Sequence, residues 1–279
     1  MSHWRSAPKP VRSLFLALIA IGPGTACKKS GSPNPPPPLN VAAAADLASA
    51  FKDVGDAYQK KSGQAVSFSF GSTGLLEKQI VEGAPYDVFA AANVSYADDA
   101  VKAGVCFGDT KSLYAVGRIV MWTKQDGALP LRLDDLADPK YAKIAIANPE
   151  HAPYGLAAKQ ALTKAGVWNT ASSRVVYGEN VQQALEFAQS GNAEVAIVAL
   201  SLALTANGKY TAIDGSWYDR IDQAMVVCKG SAASNASGPS ESAKTFTAFV
   251  ASAEGRAIMR RHGFLLPGEA SSASDAPNQ

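Results

Sequence analysis

Asn40–Ile80 reads NVAAAADLASAFKDVGDAYQKKSGQAVSFSFGSTGLLEKQI. The short apolar run from Asn40 to Ala45 suits a buried strand. From Asp46 onward Leu47, Ala50, Phe51, Val54, Ala57 and Tyr58 recur at spacings of three and four. That is the apolar stripe of a helix, and Gly63 predicts its end. Val66, Phe68 and Phe70 then alternate with smaller polar residues as a second strand, and Gly71-Ser72-Thr73-Gly74 leads into a helix carrying Leu75, Leu76 and Ile80. Strands joined through helices pair in parallel, so this βαβα opening predicts an α/β domain built on parallel sheet.

The alternation continues in both halves of the chain. A strand at Asp87 to Ala91, a helix from about Ser95 to Ala103 and a long β-like run from Leu113 to Lys124 complete the first series. A fresh series follows: strand Lys143 to Ala147, helix Gly155 to Ala165, strand Arg174 to Tyr177, helix Val181 to Ser190, strand Glu194 to Leu200 and a helix through Ala206. A last strand, Gln223 to Cys228, precedes helices from about Glu241 to Ala253 and Gly255 to Arg261, which are expected to return to the first lobe. No internal repeat is evident.

The bulk composition agrees with a globular α/β protein. Of 279 residues, 47% are hydrophobic and 18% charged, enough apolar material for one large domain or two modest ones. A net charge of +2, with no dense Lys/Arg run after the first thirty residues, leaves no electrostatic footprint for nucleic acid. At the N-terminus Arg5, Lys9 and Arg12 precede the apolar run Leu14 to Ile21 and the small residues before Cys27. This run is too short to span a bilayer as a mature helix and predicts an export signal over residues 1–27. Gly24-Thr25-Ala26-Cys27 resembles a bacterial lipoprotein processing site, with Cys27 the expected lipidated residue, although Gly24 stands where an aliphatic residue is usual. Cleavage near Ala26 with Cys27 incidental is the alternative. Residues 28–38, KKSGSPNPPPP, then read as a stiff tether and residues 268–279 as a disordered tail. In an exported protein Cys106 and Cys228 form either one disulfide or two buried free thiols.

Open α/β sheets bind ligands at the carboxyl ends of their strands, where loops enter helix N-termini. Four junctions stand there: Ala44-Ala45-Asp46, Gly71-Ser72-Thr73-Gly74, Ala152-Pro153-Tyr154-Gly155 and Glu179-Asn180-Val181. Each offers backbone N–H groups at the positive end of a helix, and none carries Lys or Arg. Singly they are explained by helix capping and turn chemistry; repeated at equivalent strand ends they predict an anion cradle of neutral donors. Enzyme motifs are missing. The glycine loop at Gly71 fits neither the G-x-S-x-G elbow nor the phosphate-binding loop, and no cluster has metal-ligand spacing. A Ser72/His151/Asp triad, the basis of a serine hydrolase, has no motif to fix its geometry.

Four stretches resemble the molybdate-binding proteins of bacterial ABC importers, within the two-lobed periplasmic binding proteins. They are VAAAADL (Val41–Leu47), SFGSTGLLEKQIVEGAPYDVFAAA (Ser69–Ala92), ANPEHAPYGLAAKQAL (Ala147–Leu162) and ENVQQALEFAQSGNAEVAIVALS (Glu179–Ser201). HGFLLP, from His262 to Pro267, resembles the family's ending. The likeness implies lobe 1 over 39–119 and 224–267, lobe 2 over 120–223, and hinges near Ile119–Lys124 and Asp222–Val226. It implies a binder rather than an enzyme, with no cofactor and no protein–metal ligands.

The resemblance carries ligand contacts onto Ala45, Asp46, Ser72, Thr73, Tyr154 and Val181. It also implies molybdate or tungstate as transported ligand, an ABC permease as partner, and a monomer in the periplasm or at the cell surface. Sulfate, phosphate or another oxyanion remains the alternative ligand. Two positions depart from the pattern. Asp46 stands where Ser or Asn is common, and a carboxylate there should not face a dianion, so its side chain is expected to cap the helix beginning at Leu47. Ala199 stands where the best-known members carry a ligand-contacting Tyr, and the phenol or backbone N–H of Tyr154 is expected to serve instead.

Overall fold

The computed structural model describes residues 36–230 and 238–269. The export signal, Cys27, residues 28–35 of the tether and residues 270–279 of the tail lie outside the described residues. No described helix is long and apolar enough to cross a membrane.

The first lobe opens as its periodicity predicts: β1 (Leu39–Ala44), α1 (Ala48–Ser62), β2 (Val66–Gly71), α2 (Thr73–Val81), β3 (Val88–Ala91), α3 (Val94–Lys102) and β4 (Ser112–Gly117). Gly63 ends α1 in the left-handed region at φ 74°, a conformation that costs glycine little. Arg118 then carries the chain into the second lobe. There β5 (Ile119–Thr123), β6 (Ile144–Ala147), α4 (Pro153–Lys164), α5 (Trp168–Ala171), β7 (Val175–Gly178), α6 (Val181–Gln189), β8 (Val195–Ala199), α7 (Leu200–Ala203) and β9 (Lys209–Ala212) follow in order. The chain returns with β10 (Ile221–Val227), α8 (Glu241–Ala251) and α9 (Ala253–Arg261). The short elements α5 and β9 have too few residues to show a period and were not expected.

Each lobe holds one five-stranded sheet, ordered β2-β1-β3-β10-β4 and β7-β6-β8-β5-β9. The architecture is the expected two-lobed α/β, but the sheets are mixed rather than parallel. β1 pairs in parallel with β2 and β3, and β6 with β7 and β8. β10 runs antiparallel to β3 and β4, and β5 antiparallel to β8 and β9. The strands that break the rule are those arriving from the other lobe, so no helical crossover fixes their direction. The run Leu113–Lys124, one strand by sequence, divides at Arg118 between the two sheets. The lobe crossings are Arg118 and residues 213–220. The stretches expected as hinges fall within β5 and β10, where ladder bonds on both sides hold the backbone, and β10 lies in the first sheet from Ile221 onward.

The C-terminal helices return to the first lobe, as their place in the sequence suggested. Phe246 of α8 packs edge-on to Tyr58 (5.3 Å between ring centres) and to Phe51 (6.2 Å) of α1. Asp53 of α1 accepts from His262 at 2.8 Å and Arg261 at 3.1 Å, which ties the end of α9 to the same helix. A disulfide joins Cys106 to Cys228, resolving the open choice between bridge and thiols. Because β10 opposes β3 with Val227 beside Val88, the bridge sits at the edge of the sheet where β3 begins, away from the end where it reaches Ala92. In the second lobe a side chain at Gly155 would overlap the Ala147 carbonyl, so only glycine lets α4 start pressed against β6.

Candidate functional site

The four junctions converge on one small cavity between the lobes. All six expected contact residues line it: Ala45, Asp46, Ser72 and Thr73 from the first lobe, Tyr154 and Val181 from the second. Each stands in the first turn after a strand's carboxyl end. Ala45 opens a 3-10 turn after β1, Thr73 is the first residue of α2, Tyr154 follows Pro153 at the start of α4, and Val181 opens α6. Helix starts leave N–H groups without intrahelical acceptors, and four such starts facing one space give it a positive potential without a cationic side chain. Asn180 caps α6 as expected, accepting from the N–H groups of Gln182 and Gln183 at 3.0 Å each. Ala199 is fully buried and does not line the cavity.

Asp46 does not cap a helix. The 3-10 turn Ala45–Leu47 intervenes before α1, and neither start receives a side-chain cap. The fully buried carboxyl instead takes two donors on Oδ2, the Tyr154 hydroxyl at 2.9 Å and Gln223 Nε2 at 2.6 Å. Gln223 Nε2 also reaches Tyr154 Oη at 3.1 Å, and its Oε1 accepts from the Tyr114 hydroxyl at 2.7 Å, which fixes the amide's orientation. Oδ1 is buried with no hydrogen-bond partner. Burial pushes the Asp46 pKa up to about 6, partly offset by hydrogen bonds from Gln223, Tyr154 and its own backbone. Burial, and then the charge of Asp46, hold both the Tyr154 and Tyr114 phenols well above their ordinary value.

The Tyr154 hydroxyl, expected to face the ligand, is therefore directed at Asp46, leaving its backbone N–H as the group at the α4 start. A side chain at Gly117, next to the lobe crossing, would overlap this hydroxyl, so the glycine makes room for it. Gln223 and Tyr114 were not singled out from the sequence. The one available signal was an amide side chain beside the apolar run of IDQAMVV, a position the structure buries fully.

The two hydroxyls of the α2 start do different work. Ser72 Oγ donates across the cleft to the His151 carbonyl at 2.6 Å, and with its one proton so used it accepts from Nδ1–H of the same histidine at 2.8 Å. Gly74 N–H reaches that carbonyl too, at 2.9 Å. Thr73 Oγ1 accepts from the Ala92 N–H at 3.2 Å and so keeps its own proton to donate. The lobes also meet through Ser201, whose hydroxyl donates to the Asp46 carbonyl at 2.7 Å, and through Ser49 with Thr205 at 3.1 Å. These contacts close the cleft. The Ser72–His151 pair lacks the third member of a triad, because no carboxylate bonds the imidazole among the described residues and the hydroxyl proton goes to a carbonyl.

Residues 39–265 match the sequence profile of the bacterial extracellular solute-binding proteins. The chain belongs to that family. Among relatives, the molybdate-binding protein ModA of Rhodobacter capsulatus is 34% identical over 81% of this chain and 87% of its own. The ABC transporter substrate-binding lipoprotein YvgL of Bacillus subtilis is 33% identical over 60% of this chain and 65% of its own. Among solved structures, the periplasmic molybdate-binding protein of Azotobacter vinelandii superposes with a TM-score of 0.74 at 31% identity, covering 82% of this chain and 99% of that one. The family is one of solute binders, not of enzymes, and the two lobes closed on one small cavity are the form in which such a binder holds its solute.

Proposed function

We propose that this binding protein captures molybdate or tungstate in the interlobe cavity and presents it to an ABC permease. The observation that carries the reading is the cavity itself: a small space at four helix starts, lined by no Lys or Arg. Fixed N–H dipoles suit a small oxyanion whose oxygens all accept hydrogen bonds, and the names of the relatives select molybdate among such anions. The backbone N–H groups of Ala45, Asp46, Thr73, Tyr154 and Val181 are the proposed donors, with the Thr73 hydroxyl. Ser72 acts chiefly by holding the lobes together through His151. The lipoprotein relative supports Cys27 as the anchored residue, with the proline-rich segment as tether, and the protein acts as a monomer. Titration calorimetry of the mature domain against molybdate, tungstate, sulfate and phosphate tests the assignment. Molybdate and tungstate are expected to bind at least tenfold more tightly than the other two, and a stronger response to sulfate or phosphate would overturn the choice of ligand.

A further inference from the structure

We propose that Asp46 binds the oxyanion as a carboxylic acid, donating through Oδ1, so that each anion is captured together with one proton. The inference rests on the reading of the cavity as an oxyanion site. Its first ground is the asymmetry of the carboxyl group. Oδ2 takes two donors, from Tyr154 on α4 and Gln223 on β10, while Oδ1 is buried, belongs to a cavity-lining residue and has no partner. A proton on Oδ2 would have to compete with both donors, so the acid proton belongs on Oδ1. An ionised Oδ1 facing an anion would leave two like charges in contact in a poorly screened space, a loss that Tyr154 and Gln223, both bonded to Oδ2, do not remove. A protonated Oδ1 turns the same contact into a donated hydrogen bond.

The second ground is what surrounds the group. Besides Tyr154 and Gln223, the polar groups facing it are Tyr114 of β4, which orients Gln223, and Ser201 of α7, which bonds the Asp46 carbonyl. The start of α6 contributes Asn180 and Val181, and on the far side His151 is engaged with Ser72. None of these is Lys or Arg, so no permanent cation holds the carboxyl ionised. Burial acts in the same direction, raising its pKa before any anion arrives. Molybdate is itself fully ionised near neutrality, so the shared proton must be taken from solvent as the complex forms. Gln223 and Tyr114 are positioning residues for this proton.

Calorimetry with sodium molybdate, from pH 5.5 to 8.5 and in paired buffers of different ionisation heat, reads both affinity and proton count. For the parent protein the affinity is expected to fall by close to tenfold per pH unit above about pH 6, with close to one proton taken up per molybdate at pH 8. Asp46→Asn, whose amide donates without titrating, is expected to bind with neither slope nor uptake. Tight binding with a flat pH profile and no proton uptake in the parent would overturn the proposal and leave the oxyanion site standing. A slope that persists in Asp46→Asn would also overturn it, by placing the proton elsewhere. No heat with molybdate or tungstate at any pH would instead remove the oxyanion reading, and this inference with it. Should the variant fail to fold by circular dichroism, the proton count of the parent decides alone.

Discussion

Tyr154→Phe distinguishes a phenol that touches the ligand from one that acts through Asp46. The substitution removes one oxygen and leaves the ring in place. In the closed protein that oxygen donates to Asp46 Oδ2 at 2.9 Å across the lobe boundary and accepts from Gln223 Nε2 at 3.1 Å, all within a fully enclosed group. Gln223 keeps its 2.6 Å bond to Oδ2, so one of two donors to the carboxyl is lost rather than both. A buried hydrogen bond to a carboxyl oxygen is worth about 0.5–1.5 kcal/mol when the acid is neutral and about 1.5–3 kcal/mol when it is charged. In the open protein water replaces the partner, so the whole loss falls on closure, and molybdate affinity is expected to drop by about 1–2 kcal/mol, roughly 5- to 30-fold. The assay is a double-mutant cycle by calorimetry with Asp46→Ala, which removes the acceptor. In that background Tyr154→Phe is expected to cost less than about 0.5 kcal/mol, giving a coupling near 1 kcal/mol. Equal losses in both backgrounds would refute the reasoning and return the hydroxyl to the ligand.

Three further outcomes are expected. Thr73→Val removes a hydroxyl free to donate and is expected to lower molybdate affinity by about 1–3 kcal/mol, whereas Thr73→Ser should stay within a few-fold and Ser72→Ala, which weakens only the latch to His151, should lose about 1 kcal/mol; an equal or larger loss in Ser72→Ala would reverse these roles. Replacing Cys106 and Cys228 together by Ser opens a link across 122 residues and is expected to lower unfolding free energy in urea by about 2–5 kcal/mol, while molybdate affinity changes less than about threefold because the bridge lies at the far edge of the sheet; unchanged stability would show that the bridge contributes nothing. The folded-state pKa of Asp46 is raised from 3.8 to about 6, so its contribution is fully present below pH 3.8 and is lost as pH rises through 6. Asp46→Asn escapes that loss, and the ligand-free variant should gain on the parent between pH 4 and 7 by up to roughly 3 kcal/mol, at 1.36 kcal/mol per unit; a gain that shrinks with rising pH in denaturant melts would contradict the burial of this group.

The fold was legible where local periodicity determines it. The stripe of α1 and the glycine that ends it are written within a few residues of each other and survive intact, and β2 forms where its alternation placed it, although Phe70 of that apolar set is exposed. The direction of β5 and β10 was not legible, because it depends on which lobe the chain arrives from. No local pattern distinguishes a strand entering a sheet from its own lobe from one entering across a hinge. For the same reason the break at Arg118 was hidden inside an unbroken β-like run. The positions of the site were legible for a topological reason: successive parallel strands must end on one side of their sheet, so the turns after them share a face.

The roles at those positions were less legible, and Asp46 shows why. Read locally, an Asp before an apolar stripe is a helix cap, and every residue within one turn of it agrees. Its actual partners lie 108 and 177 residues away, on a helix of the other lobe and on the strand that returns from it. Their chemistry also changes what the residue contributes to closure. Closing the empty cleft places Asp46 under burial, and above about pH 6 this costs the free energy of protonating it or of burying its charge. A ligand can shift the equilibrium between open and closed only by binding one form better than the other. An anion that accepts from the acid does so, since it recovers part of that cost in the closed form alone. The contacts of Ser72, Gly74 and Ser201 across the cleft favour closure whether or not the cavity is filled. The carboxyl opposes them when it is empty, so a residue that looked unsuited to an anion site supplies a difference between the empty and the occupied states.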